Sequence, residues 1–130
     1  MQISLMEAYI IETLKTKFTY EEVEQQLIQG DLSAFEDLNF DLALLQQLFD
    51  NNPAGLKEAY THSYSVKFLT MNGLKNILRL RFGITEENYE IREFGVYGVK
   101  ADPDTEREIA SILSSNWKIT RQGDTINLFV

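Results

Sequence analysis

Asp102-Pro103-Asp104-Thr105-Glu106-Arg107-Glu108-Ile109-Ala110-Ser111-Ile112-Leu113 is the stretch on which the fold turns. Asp102 offers an N-cap oxygen, and Pro103 suits a first helical position whose N–H is not needed. Asp104, Glu106 and Glu108 then put negative charge on the positive end of a helix dipole. Ile109, Ile112 and Leu113 recur at i, i+3 and i+4, so one stripe faces inward while Arg107, Glu108 and Ser111 face water. Ser114, Ser115 and Asn116 are expected to end the helix. The acids at alternate positions from 102 to 108 resemble a run of oxygen ligands, but a calcium loop needs a Gly-enabled turn and a closing bidentate Glu. Their expected work is capping and dipole compensation, so neither a metal nor a cofactor is implied.

Hairpin-like segments flank this helix on both sides. Upstream, 89–94 and 96–101 read as two strands joined near Gly95, with Gly98 marking a bulge or close backbone approach. Downstream, Trp117 and Ile119 alternate with Lys118 and Thr120, Gln122-Gly123-Asp124 turns, and Ile126, Leu128 and Val130 complete a final hairpin. Further upstream, Tyr64, Val66 and Phe68 alternate with Ser65 and Lys67 as a strand. Two templates fit 71–82. Asn72-Gly73 signals a hairpin turn, but that register sets Lys67 against Leu78 and Leu69 against Asn76. A helix instead aligns Leu74, Ile77, Leu78 and Phe82 and ends at Gly83, at the cost of Arg81 within the apolar arc. The helix is the better match.

The order from Tyr64 is then β-α-β-β-α-β-β, an α+β fold with a ferredoxin-like antiparallel sheet extended by one C-terminal strand. In that arrangement the first and third strands are central and the last lies at an edge. No charge or Pro blunts 125–130, so the N-terminal helices should cover that edge, or a second copy should pair with it in a homo-oligomer.

The N-terminal part reads as short helices docked on the sheet. In 1–18, Leu5, Tyr9, Ile10 and Leu14 share a face, with Glu7 and Glu12 elsewhere. Thr19-x-x-Glu22 is a capping box before Val23, Leu27 and Ile28, which should pack inward, and Gly30 ends that helix. Ser33 to Glu36 repeats the signature before a short turn. Asp41 caps a helix carrying Leu42, Leu45, Leu48 and Phe49, and Asn52-Pro53 opens another through Leu56 and Tyr60. The organisation is a helical region, 1–62, and an α+β region, 63–130, expected to form one unit.

A chain of 130 residues without Cys can bury an adequate core unaided, and it lacks thiolate chemistry and disulfides. His62 alone excludes a multi-histidine metal site within the chain. The N-terminus has no basic region ahead of an apolar run, so neither a signal peptide nor a membrane span is expected, and the location is read as cytoplasmic. The net charge of −8 is uneven: residues 1–58 hold 11 acids against 3 bases, and residues 59–85 hold 4 bases and no acid. The acidic balance argues against nucleic acid and anionic membrane as partners.

Lys67, Lys75, Arg79, Arg81 and Arg92 are the candidate partner-binding residues. Lys75 and Arg79 would be like charges one helical turn apart, which asks for a negative group opposite, from the acidic helices or from a partner. His62 reads as a boundary residue, with no Ser or Cys to activate and no local acid to orient it. Phe94-Gly95-Val96-Tyr97-Gly98-Val99 lacks the Lys and following helix of a phosphate loop. Tyr64, Phe68 and Tyr97 are candidates for stacking on bases, with core packing the plainer use. Acid/base work by Glu90, Glu93 or Asp102 beside a Tyr is the enzymatic option. The sequence favours a non-enzymatic protein–protein interaction module of regulatory, adaptor or inhibitor type over an enzyme. The alternative is a small-ligand or nucleic-acid binder using the basic residues of 67–92.

Overall fold

The computed structural model describes residues Met1–Val130 and is mixed α+β. Its contacts divide the chain into a helical unit, residues 3–64 with Met1, and a second unit, residues 65–130 with Gln2.

A short extended segment β1 (Gln2–Ile3) precedes α1 (Leu5–Lys15), the first helix of the helical unit. Ser4 caps α1 by accepting from the Glu7 N–H, and the Glu7 carboxylate accepts from the Ser4 N–H. α2 (Tyr20–Gln29) starts with the same reciprocal pair between Thr19 and Glu22 and stops at Gly30, whose φ of 72° is the left-handed C-terminal conformation. A 3-10 turn follows at Ser33–Leu38. There Ser33 bonds back to Asp31 rather than capping forward, which corrects the capping box expected at Ser33 to Glu36. α3 (Leu42–Asn51) is capped by Asp41, and α4 (Pro53–Thr61) by Asn52 with Pro53 in its first turn. Phe18 meets Phe35 edge-on, Tyr20 packs on Tyr60, and the Tyr60 hydroxyl donates to the Phe18 carbonyl at 2.7 Å.

Two side chains in this unit differ from expectation. Glu12 is only 2% exposed, not on the water face of α1. Its carboxylate accepts from the Tyr64 hydroxyl and lies 3.8 Å from the Lys15 ammonium, so a buried charge has partners. Ile28, expected inward, is 68% exposed, because Val23 and Leu27 already define the buried stripe of α2.

In the second unit, β2 (Ser65–Val66) precedes α5 (Met71–Phe82), which Thr70 caps and which ends at the left-handed Gly83. The helical reading of 71–82 therefore holds. β3 (Glu90–Arg92) and β4 (Gly95–Lys100) form a hairpin about Glu93 and Phe94. α6 (Pro103–Ile112) begins as read, with Asp102 accepting from the Thr105 N–H at 2.7 Å, and it ends at Ile112, ahead of the serines. β5 (Lys118–Gln122) and β6 (Thr125–Phe129) close the chain around Gly123 and Asp124.

The sheet is four-stranded and antiparallel in the order β3-β4-β6-β5, which corrects the ferredoxin-like arrangement in two respects. First, β2 is not one of its strands. The extended run stops after Val66 because the N–H of Leu69 donates to Ser114 Oγ at 2.9 Å and its carbonyl accepts from the Trp117 indole at 2.7 Å. Those groups are not available to a sheet ladder. Second, the C-terminal strand lies inside the sheet, paired with β4 on one side and β5 on the other. It therefore has no free edge for a second copy. Ile126 and Leu128 are fully buried, whereas the edge strands carry Glu90 and Arg92, or Lys118 and Arg121, as edges exposed to water tend to.

Gly98 bears out the bulge. It has φ +73°, the register shifts between Val96 and Val99, and its N–H donates to Asn127 Oδ1 at 3.0 Å. The buried core of residues 65–130 includes Val96, Val99, Ile126 and Leu128 from the sheet, Leu74, Ile77 and Leu78 from α5, and Ile109 and Ile112 from α6. No helix is long and apolar enough to cross a membrane.

Candidate functional site

The clamp on Leu69 has a consequence at the surface. With Leu69 turned inward, the preceding Phe68 is directed outward and is 64% exposed. The β3–β4 turn places Phe94 beside it at 63% exposure, and the Val130 N–H, bonded to the Phe94 carbonyl at 2.9 Å, holds the last residue there at 55%. Together they border a recess of about 300 Å³ that includes Leu69 and the buried Trp117, with Thr70, Glu93 and Asn116 as its polar members. Large exposed apolar side chains grouped around one depression are uncommon on a surface that stays in water.

A second surface is the open face of the sheet. Because side chains alternate along strands, the pairing fixes which residues share it. Arg92, Gly95, Phe129 and Lys118 form one row across the four strands, and Lys100, Thr125 and Gln122 form another. Between them lie Glu90, Tyr97, Asn127 and Thr120. The Tyr97 and Phe129 rings are nearly parallel, 6.1 Å between centroids and 11° between planes. The Arg92 guanidinium sits 4.4 Å from the Tyr97 centroid and donates to Glu90 at 2.9 Å. That hydrogen bond, followed by the charge itself, holds the Glu90 carboxyl below its ordinary value and the Arg92 guanidinium above its own.

A larger cleft of about 690 Å³ lies at the start of α6, bordered by Phe82, Ile84, Ala101, Pro103 and Arg121. Its guanidinium is fully committed to the fold. Arg121 donates to Glu106 at 2.7 Å, to the Gly123 carbonyl at 2.9 Å and to the Ala101 carbonyl at 2.8 Å. These bonds tie the β5–β6 turn to the start of α6, which makes this cleft a structural joint before it is anything else.

The candidate basic residues do not gather into one patch. Lys75 and Arg79 line a small depression with Glu86 and Glu87; Lys75 bridges Glu86 at 2.9 Å, and Arg79 bonds Asn76 at 3.3 Å. The counter-charge for Lys75 thus comes from its own unit. Arg81 is half-buried with its guanidinium 5.5 Å from the centre of the Phe82 ring, which accommodates a cation near the apolar arc of α5. Lys67 is exposed beside Phe68, and Arg92 alone of the five belongs to the open sheet face.

The other candidates separate as well. Glu90, Glu93 and Asp102 line three different cavities. Asp102 is held below the ordinary carboxyl value, chiefly by the Thr105 backbone N–H. Two of the acids after it are in ion pairs, Asp104 with Arg107 and Glu106 with Arg121. No group of three or more His, Cys, Asp or Glu side chains is placed to hold a metal ion. His62 does have a local acid, contrary to expectation: Glu58, one turn earlier on α4, lies 4.0 Å away.

Of the three stacking candidates, Tyr64 is buried, Phe68 borders the recess, and Tyr97 alone lies on the open face. Phe129 is a further aromatic of this face with a signal in the sequence. It breaks the alternation of Ile126 and Leu128 by placing an aromatic on the polar side of its strand. No protein-family model, curated protein or solved structure matches this chain.

Proposed function

We propose that this chain is a non-enzymatic protein–protein interaction module that receives an apolar side chain of a partner protein in the recess bordered by Phe68, Phe94 and Val130. The supporting observation is the grouping of those three exposed side chains around Leu69 and Trp117. An apolar centre with a polar rim is the anatomy of a protein-binding hot spot. Glu93 on the rim favours a partner segment with Lys or Arg next to its apolar anchor, since opposite charges at a rim steer encounter and fix register. The lack of Cys suits a cytoplasmic setting.

The test is photo-crosslinking with benzoylphenylalanine placed at Phe94 or, as a control, at the exposed Ile28. The reading expects an adduct specific to position 94, a crosslinked peptide with an apolar residue beside Lys or Arg, and competition by unlabelled wild type but not by Phe68→Asp. Equal adducts at both positions, or none, would overturn it. An adduct with the chain itself would identify a second copy as the occupant and overturn it equally.

A further inference from the structure

The acidity of this protein is not spread along the chain. Residues 1–64 hold eleven acids against three bases, whereas residues 65–130 balance nine against nine. Within the second unit the open sheet face is biased the other way. Arg92, Lys100 and Lys118 share it with one carboxylate, Glu90. Lys100 and Lys118 are in no ion pair, and the Arg92–Glu90 pair is more than half exposed on both partners, so water and ions compete for it. Arg92 and Lys118 stand on opposite edge strands, about 14 Å apart at the sheet's strand spacing, in the same row as Phe129.

That row and the residue next to it carry two aromatic rings on one face. Gly95 is the residue opposite Phe129, and a Cβ there would lie 2.7 Å from the Phe129 Cβ. Its absence lets the β4 backbone approach β6 closely, and Gly95 itself is buried. Tyr97, next on the same face, continues the surface with a nearly parallel ring. Beyond it a trough of about 620 Å³ runs past Tyr89, Gly98, Gln122 and Asn127. Tyr89 lines that trough, and its hydroxyl, shielded from water, has no hydrogen-bond partner.

We propose that this face binds single-stranded nucleic acid: one base stacks on Phe129, a second replaces the Arg92 guanidinium that lies 4.4 Å from the Tyr97 centroid, and the displaced Arg92 holds phosphate together with Lys100 and Lys118. Every base has a π-face, so two aromatic rings between flanking cations accept a single strand with little regard to sequence. A duplex keeps its bases stacked inside and offers them to neither ring. A protein partner would find this face poor in apolar side chains beyond the two rings. The inference is independent of the Phe94 recess.

The experiment is fluorescence anisotropy with labelled oligouridine and oligothymidine at low salt, with a duplex and free nucleotide as competitors. The expected result is saturable binding of single strands, poor competition by duplex or nucleotide, and affinity falling with salt by a slope of about −2 for three phosphates. Tyr97→Ala or Phe129→Ala should weaken binding roughly tenfold or more, and Tyr97→Phe should restore it. Lys118→Glu, an exposed edge change that spares the core, should weaken binding and flatten the salt slope, while Glu90→Gln should tighten it. Circular dichroism confirms that each variant is folded. Absence of binding by wild type, equal affinity for duplex or nucleotide, or indifference to Tyr97→Ala in a folded protein would overturn the proposal. So would loss of a protein crosslink at Phe94 in these same variants with no effect on oligonucleotide, which would assign the face to a protein interface.

Discussion

The indole N–H of Trp117 donates to the main-chain carbonyl of Leu69 at 2.7 Å, across 48 residues of sequence. With Ser114 taking the N–H of the same residue, both polar backbone groups of a fully buried Leu are satisfied by side chains that follow α6. This is what ends β2 and turns Phe68 toward solvent. Trp117→Phe should therefore destabilise the protein by about 1–3 kcal/mol, because a buried carbonyl loses its donor. Ser114→Ala should cost a similar amount through the orphaned N–H. Urea denaturation followed by circular dichroism measures both, and a change within error for either would remove the clamp from the account of the fold.

Gly95 and Gly98 lie on the same strand and should respond differently to Ala. A Cβ at Gly95 would sit 2.3 Å from the Leu128 carbonyl oxygen, a backbone atom that cannot step aside without parting β4 from β6. The expected cost is about 1–3 kcal/mol from overpacking. At Gly98 nothing lies within 4 Å, so only the positive φ resists, at about 1 kcal/mol. Equal denaturation midpoints for the two variants would contradict this ordering.

How far the sequence reveals this protein depends on how local each determinant is. The Thr19–Glu22 box, Gly30, Asn52-Pro53 and Asp102-Pro103 act within one helical turn, and the helices they mark are found where read. The bulge at Gly98 was legible for the same reason. Strand order was not, since β6 between β4 and β5 is decided by pairing partners and not by its own alternation. Glu12 is buried because Tyr64, 52 residues away, bonds it, and periodicity of α1 carries no trace of that. The candidate site was half visible. Arg92 and Tyr97 were both named, but only the register places them on one face with Phe129 and Lys118.

In the helical unit, two tyrosines should set the alkaline limit of stability. Burial first, then Glu24 and Glu21, pushes the Tyr20 hydroxyl up to about 12. Burial first, then Glu22 and Glu12, raises Tyr60 as well. Both are neutral in either state below about pH 10. Between there and about pH 12 the unfolded chain releases protons that the folded chain retains, so stability falls as pH rises. Urea midpoints should hold steady up to about pH 9 and decline beyond pH 10, with a shallower decline in Tyr20→Phe. An identical decline in that variant would mean that other groups carry the effect.

The acidic limit should include the cap of α6. Asp102 is held below its ordinary 3.8, first by the Thr105 backbone N–H and more weakly by Arg121 and Arg107. A carboxyl lowered in the folded state contributes fully above its unfolded value, and that contribution is lost as pH falls through the folded value. Asp102→Asn keeps an oxygen to accept from Thr105 but removes the charge at the positive end of the helix. Wild type should therefore be the more stable at neutral pH, and its lead should shrink as pH drops below 3.8. Denaturation midpoints for the two proteins across that range measure the lead directly. A lead that stays constant into acid would show that the N–H bond to Asp102, rather than its charge, is what the helix uses.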